Sequence, residues 1–269
     1  TEVPLTTKAV LFTDGNIDSL RNRSFSYPSN MTLLGLSNNA IAHIEENAFR
    51  NLTALRALLL DHNRISTSAI LESTFSQLPH LEILQLGNNA LQVVKGSWFK
   101  DLGSLLTLQL EGNLISRLDS NTFEFSMLSS LETLDLSDNL ITYIARDSFA
   151  NLPRLRSIDL SRNSLTLIPD AFSYLSWLSA LNLDINRWNC SCELRELSEF
   201  LSSYIEKPGK ILYNGKQLAC QSSSNPAVQT ILQLTESNCV PPNQNITITV
   251  QTSDYRRYIY DCLQKVEQP

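Results

Sequence analysis

The sequence predicts an α/β solenoid, a horseshoe with one parallel sheet on its concave side and a disulfide-bonded cap at its C-terminal end. Three observations predict it. A spacing of apolar residues that is neither helical nor strictly alternating recurs along the chain, an Asn series and a Phe series follow it at fixed offsets, and a set of cysteines closes it.

The spacing is clearest at Leu131 to Asn139, LETLDLSDN. Leu131, Leu134, Leu136, Asn139 and Ile141 sit at offsets 1, 4, 6, 9 and 11, which is the leucine-rich repeat pattern. Equivalent units begin at Thr7, Met31, Leu55, Leu81, Leu105, Leu131, Leu155 and Leu178, with differences of 24, 24, 26, 24, 26, 24 and 23. The first is degenerate, since Thr7 replaces the leading Leu and Gly15 the Asn. Val10, Phe12, Ile17, Leu20 and Phe25 keep its register.

Each recurring position has a physical task. Leu134 with Leu136, or Leu84 with Leu86, points to one face of a short strand while the residues between point to the other. One strand per unit then makes a parallel sheet. Asn39, Asn63, Asn89, Asn113, Asn139, Asn163 and Asn186 fall where the chain turns inward, and a carboxamide there supplies donors and an acceptor to backbone groups without ladder partners. Phe25, Phe49, Phe75, Phe99, Phe123, Phe149 and Phe172, seven of the ten Phe residues, lie on the return side, where their rings fill a second core column. A single unit cannot bury these faces, so the units must stack on their neighbours.

Composition is consistent with this and excludes other classes. A chain of 269 residues with 42% hydrophobic and 18% charged content buries a sizeable core and is not disordered. A net charge of −6 and pI ≈ 5.1 give no basic footprint for nucleic acid or an anionic membrane. No uncharged apolar run approaches the roughly 18 residues that a span requires. Thr1 to Leu20 also lacks the basic start and apolar centre of a signal peptide. A secreted or anchored form would therefore be a mature or trimmed ectodomain, with any membrane anchor outside this chain.

After Leu183 and Asn186 the pattern gives way to NRWNCSCELRELSEFLSSY. Trp188 takes the next core position, and Leu194, Leu197, Phe200, Leu201 and Tyr204 follow helical spacing. An amphipathic helix over the last repeat follows. With Cys190, Cys192, Cys220 and Cys239, this stretch resembles the cysteine-rich C-terminal flanking domain of extracellular leucine-rich repeat proteins, among them Slit-like, neurotrophin-receptor-like and Toll-like receptor ectodomains. The resemblance covers roughly Thr7 to Val240, and departs from the family at Arg187, where a Pro usually precedes the Trp. Four cysteines allow three connectivities; the resemblance implies Cys190 with Cys220 and Cys192 with Cys239. Each bridge would add roughly 2–4 kcal/mol by restricting the unfolded chain. A zinc site fits poorly, because the spacing is not that of paired CxxC knuckles and no His lies near.

The resulting organisation is repeats over 1–186, a cap over 187–240, and a tail over 241–269 that forms a stalk or a short added strand and helix. In the tail, Ile246, Ile248 and Val250 alternate, and Tyr255, Tyr258 and Tyr260 interleave with Arg256 and Arg257. Cys262 is the odd fifth cysteine, open to an intermolecular bridge or a free thiol. Acceptor sequons begin at Asn22, Asn30, Asn51, Asn189 and Asn245 and point to the secretory route; Asn189, between Trp188 and Cys190, is the poorest acceptor of the five. The family commonly places a cysteine-rich cap before the first repeat. Either it is missing from this stretch or Leu5, Leu11 and Phe12 are covered otherwise, by a partner or a second copy of the chain.

Catalysis has little support. His43, His62 and His80 occupy different positions of different units, Glu45 and Glu46 fit a solvated edge, and no phosphate loop or nucleotide fingerprint occurs, so neither enzyme activity nor a cofactor is expected. What remains is a surface. The concave positions are apolar in the N-terminal half, with Leu11, Leu33, Leu59 and Ile83, and become Gln85, Gln109, Glu111, Asp135, Asp138, Asp159 and Asp184 further on. Asp61 lies beside His62, and Arg162 is the one cation among the acidic positions. An apolar patch beside an acidic strip fits a protein-binding face. The expected function is the ligand-binding ectodomain of a cell-surface receptor or adhesion glycoprotein, taking a protein ligand or co-receptor on the extracellular side. The alternatives are a channel- or receptor-modulating membrane subunit and a secreted matrix or inhibitor protein.

Overall fold

The computed structural model describes residues 6–22, 24–25, 30–215 and 218–239. The described residues up to Asn238 form one compact unit. The solenoid belongs to it. Each of the eight units contributes a three-residue strand: β1 (Ala9–Leu11), β2 (Leu33–Gly35), β3 (Ala57–Leu59), β4 (Ile83–Gln85), β5 (Thr107–Gln109), β6 (Thr133–Asp135), β7 (Ser157–Asp159) and β8 (Ala180–Asn182). A ninth, β9 (Ile211–Leu212), comes from the segment after the repeats and pairs with β8. Among the described residues these strands make a nine-stranded parallel sheet in chain order.

The repeat spacing fixes the register. Val10, Leu34, Leu58, Leu84, Leu108, Leu134, Ile158 and Leu181 lie opposite one another and are buried. Each such side chain contributes about 1.5–3 kcal/mol on burial. Leu36, Leu60, Leu86, Leu110, Leu136, Leu160 and Leu183 add a second buried column.

The Asn series joins each unit to the one before it. Asn139 Nδ2 donates to Leu136 O at 3.1 Å and Ser137 O at 3.0 Å in its own turn, and to Leu110 O of the preceding unit at 2.9 Å. Its Oδ1 accepts from Ile115 N at 3.1 Å. Asn63, Asn89, Asn113, Asn163 and Asn186 repeat the arrangement one unit apart. A turn that would otherwise bury unpaired amide and carbonyl groups is thereby satisfied.

On the return side the Phe rings stack: Phe25 on Phe49, Phe49 on Phe75, Phe123 on Phe149 and Phe149 on Phe172, with centroids 5.9–6.4 Å apart. Phe99 instead meets Trp98 edge-on, at 80°. The return segments are turns, short 3-10 pieces such as Thr67–Ala69 and Gly96–Phe99, and two-residue strand pairs. The long helix lies after the repeats.

That helix is α1 (Arg195–Glu206), which buries Leu197, Ser198, Leu201 and Tyr204. Its Phe200 ring lies tilted by 33° against Phe172 at 5.9 Å and carries the Phe column past the last unit. Trp188 is buried and donates through Nε1 to Leu183 O at 3.3 Å, closing the solenoid core. Cys190 and Cys220 form a disulfide, and Cys192 and Cys239 are each disulfide-bonded. Asn245, Cys262 and the alternating and aromatic residues of 241–269 lie outside the described residues.

Candidate functional site

Alternation along each strand leaves two side-chain rows on the concave side. The first runs Leu11, Gly35, Leu59, Gln85, Gln109, Asp135, Asp159 and Asn182; the second runs Ala9, Leu33, Ala57, Ile83, Thr107, Thr133, Ser157, Ala180 and Ile211. The sequence-named residues therefore share one face but not one row. Leu11 and Ile83 are exposed, whereas Leu33 and Leu59 are half-buried. Gly35 explains part of this: a Cβ there would lie 2.4 Å from Leu11 Cδ2, so the Leu11 side chain leans across the gap.

Asp61, Glu111 and Asp184 stand two residues past their strands, and Asp138 and Arg162 three past. That last position is left-handed in every unit. Asp14, Asn38, His62, Asn88, Gly112, Asp138, Arg162 and Ile185 all have φ between 51° and 65°. Asp, Asn, His and Gly tolerate this region, which accounts for six of the eight; Arg162 and Ile185 depart from it.

The acidic side chains also hold local structure. Asp135 Oδ1 accepts from Ser137 N at 2.9 Å and Ser137 Oγ at 2.7 Å. Asp159 accepts from Ser161 N at 2.8 Å and, on its other oxygen, from Asn182 Nδ2 at 2.9 Å. Asp184 accepts from Asn214 Nδ2. Asp61 accepts from Ser37 Oγ at 2.6 Å and lies 2.9 Å from His62 Nδ1. The Ser and Asn donors among these carry no positive charge. Arg162 offsets part of the acidic charge: its Nε donates to Asp138 Oδ1 at 2.7 Å, which, with the charges of Asp159 and Asp135 adding, raises its guanidinium further above the usual range.

Glu111 is the most constrained acid. Gly87 makes room for it, since a Cβ there would sit 2.0 Å from Glu111 Oε1. Burial pushes its carboxyl above the ordinary value, with the Asp135 and Asp61 charges adding to the rise and its own backbone N–H opposing it. Its Oε2 is shielded and has no hydrogen-bond donor.

Of the sequons, Asn22, Asn30 and Asn51 are exposed on return segments. Asn189 lies in a short strand paired with Ser222–Ser223, and its Oδ1 accepts from Ser222 Oγ at 3.1 Å. The three His residues do not converge, and no three His, Cys, Asp or Glu side chains form a metal-holding group among the described residues. A cleft of about 340 Å³ between the last repeats and α1 is lined by charges of both signs, including the Arg146–Glu196 pair.

Sequence reasoning missed three surface residues. Ile185 is exposed at the left-handed position, and Ile211 and Tyr213 are exposed at the last strand of the sheet. Departure from the Asp/Asn/His/Gly series marked Ile185; nothing in the repeat spacing marked the other two.

Residues 8–65, 68–115, 79–126 and 129–187 match the Leucine rich repeat family, and the chain belongs to that family. Within it, the chain is similar to leucine-rich repeat-containing protein 53 of Macaca fascicularis and of human, at 60% and 61% identity over 250 residues, or 92% of this chain. It spans 49% of the macaque protein and 20% of the human one. In fold it is similar to human trophoblast glycoprotein 5T4, with a TM-score of 0.67 at 21% identity over 88% of each chain. It is also similar to Toll in the Drosophila Toll–Spatzle complex, with a TM-score of 0.69 at 21% identity over 87% of this chain and 32% of that one.

Proposed function

We propose that this chain is the ligand-binding ectodomain of a cell-surface leucine-rich repeat receptor or adhesion protein, and that it takes a protein partner on its concave sheet. Repeats over 1–186 supply the surface, and the segment 187–240 seals the C-terminal core. The disulfides and the exposed sequons at Asn22, Asn30 and Asn51 support an extracellular setting, and glycans there leave the concave rows open. The observation that carries the reading is the first concave row. Leu11 and Leu59 pass in register into Gln85, Gln109, Asp135 and Asp159, an apolar stretch beside an acidic one, which suits a partner with an apolar anchor and basic neighbours. That Toll is a structural neighbour solved with Spatzle supports a protein as the partner class.

The test presents the chain as a multimer to a panel of purified cell-surface ectodomains and secreted proteins. Binding is then measured again with Leu59→Asp and with Asp135→Asn, which keeps the acceptor to Ser137. Each variant should weaken binding at least about tenfold with the far-UV spectrum unchanged, since about 1.4 kcal/mol is a factor of ten. A folded pair of variants that binds as well as the parent would place the site elsewhere.

A further inference from the structure

The concave face does not end on its acids. Ile211 stands in the second row opposite Ala180, and Tyr213 continues the alternation one step past Leu212, its N donating to Leu181 O at 3.0 Å. Both are exposed, at 54% and 49%. Beside them Ile185 is 62% exposed at φ 51°, a conformation that a β-branched residue holds at a cost of about 1–3 kcal/mol. Six other units place Asp, Asn, His or Gly at the same position and avoid that cost. An apolar side chain is thus displayed to solvent where the backbone disfavours it.

The face therefore has three bands. Leu11 and Ile83 with half-buried Leu33 and Leu59 form one apolar end, and Ile185, Ile211 and Tyr213 form the other. Between them lie Gln109, Asp135 and Asp159 in one row and Thr107, Thr133 and Ser157 in the next, with no Lys or Arg in either. Of the cations along the strand starts, Arg56 pairs with Glu82, Arg156 pairs with Glu132 while lying over the Trp177 ring, and Lys210 donates to Leu178 O and lies over the Tyr204 ring. Asp135, Asp138 and Asp159 outnumber Arg162, the cation whose charge reaches all three, so the centre of the face keeps an excess of acid.

Building on the concave-site reading, we infer that this face takes one basic segment of a partner protein, anchored by an apolar residue at each end. Ile83 and Ile211 are five strands apart in the sheet order. At ~4.8 Å per strand, the two anchors are about 24 Å apart. Sixteen residues at ~1.5 Å each cover that span as a helix, and fewer do so when extended. The apolar ends supply affinity and the central charges set orientation and exclude acidic competitors.

The test selects peptides from a phage-displayed library of random 16-residue sequences on the disulfide-intact chain, then measures the selected synthetic peptide by fluorescence anisotropy. The selected sequences should carry Lys or Arg at the centre and apolar or aromatic residues towards both ends. Ile185→Asn and Ile211→Thr together should weaken the peptide at least tenfold. Asp135→Asn with Asp159→Asn should weaken it and flatten its dependence on salt. Ile185→Asn suits the left-handed position and Ile211→Thr keeps a β-branched residue on an edge strand, so lost binding would not report unfolding. Loss with Leu59→Asp and Asp135→Asn but none with the Ile185 and Ile211 pair would overturn the second anchor and leave the concave site standing. Indifference to all of these changes, or selected peptides without central cations, would overturn the proposal as well.

Discussion

The two faces of a single strand are treated differently by this molecule. On β6, Leu134 is fully buried and, with Leu136 and Asn139, connects to units on both sides; Thr133 and Asp135, one residue away, are half-exposed and touch little beyond their own turn. The inward face repeats from unit to unit because it must fill the same space and satisfy the same backbone groups every time. The outward face is held to no such requirement, and it changes from Leu through Gln to Asp and back to Ile and Tyr along the sheet. Stability occupies one set of residues, and the proposed recognition surface occupies those that alternate with it.

Disruption of the inward face should have the largest effects. Phe149→Ala opens the ring column between Phe123 and Phe172 and should cost about 3–5 kcal/mol in urea unfolding. A loss under about 1 kcal/mol would mean that the stacked rings are incidental to the core. Asn139→Ala leaves Ile115 N and the carbonyls of Leu110, Leu136 and Ser137 without their carboxamide, and should cost about 2–4 kcal/mol by the same measurement.

Changes on the outward face should be small, and some should be favourable. Ile185→Asn relieves the left-handed strain and should gain about 1 kcal/mol, seen as a Tm rise of roughly 2–4 °C. A fall in Tm would show that the Ile185 side chain supports the fold. Glu111→Gln should raise Tm at pH 7 by at most about 2 °C, because the group is partly solvated. The folded protein disfavours the Glu111 carboxylate, so its cost is present above the raised folded pKa, shrinks as pH falls, and is gone below the ordinary value of 4.5. The gain from Gln should follow the same course. A gain that persists at pH 3.5 would rule out burial of the charge as its cause.

The inward face was legible in the sequence for the reason it is stable. Leu134, Asn139 and Phe149 each answer a local steric or hydrogen-bonding demand that recurs every 23–26 residues, so the demand is visible as a spacing. The left-handed turn was equally present in the series Asp14, Asn38, His62, Asn88, Gly112 and Asp138, but its members share a backbone angle rather than a chemistry and do not look alike. The concave site was legible in part. Alternation identified the face, and the unit starts already place Leu11 and Leu33 at different offsets and so in different rows, while the bonds of Asp135 and Asp159 to their own turns needed coordinates. Ile211 and Tyr213 reach the sheet after a helix and a loop, so no repeat spacing announces them.

The central claim is that the concave side chains are not required for the fold. The most direct test is the urea midpoint of a chain carrying Ile83→Thr, Asp135→Asn, Asp159→Asn and Ile211→Thr together. These changes keep the strand propensity and the acceptors to Ser137 and Ser161. Unfolding free energy within about 1 kcal/mol of the parent is predicted, since exposed substitutions are usually within ~0.5 kcal/mol each and partly offset one another. A loss as large as that from Asn139→Ala alone would contradict the division of duties between the two faces.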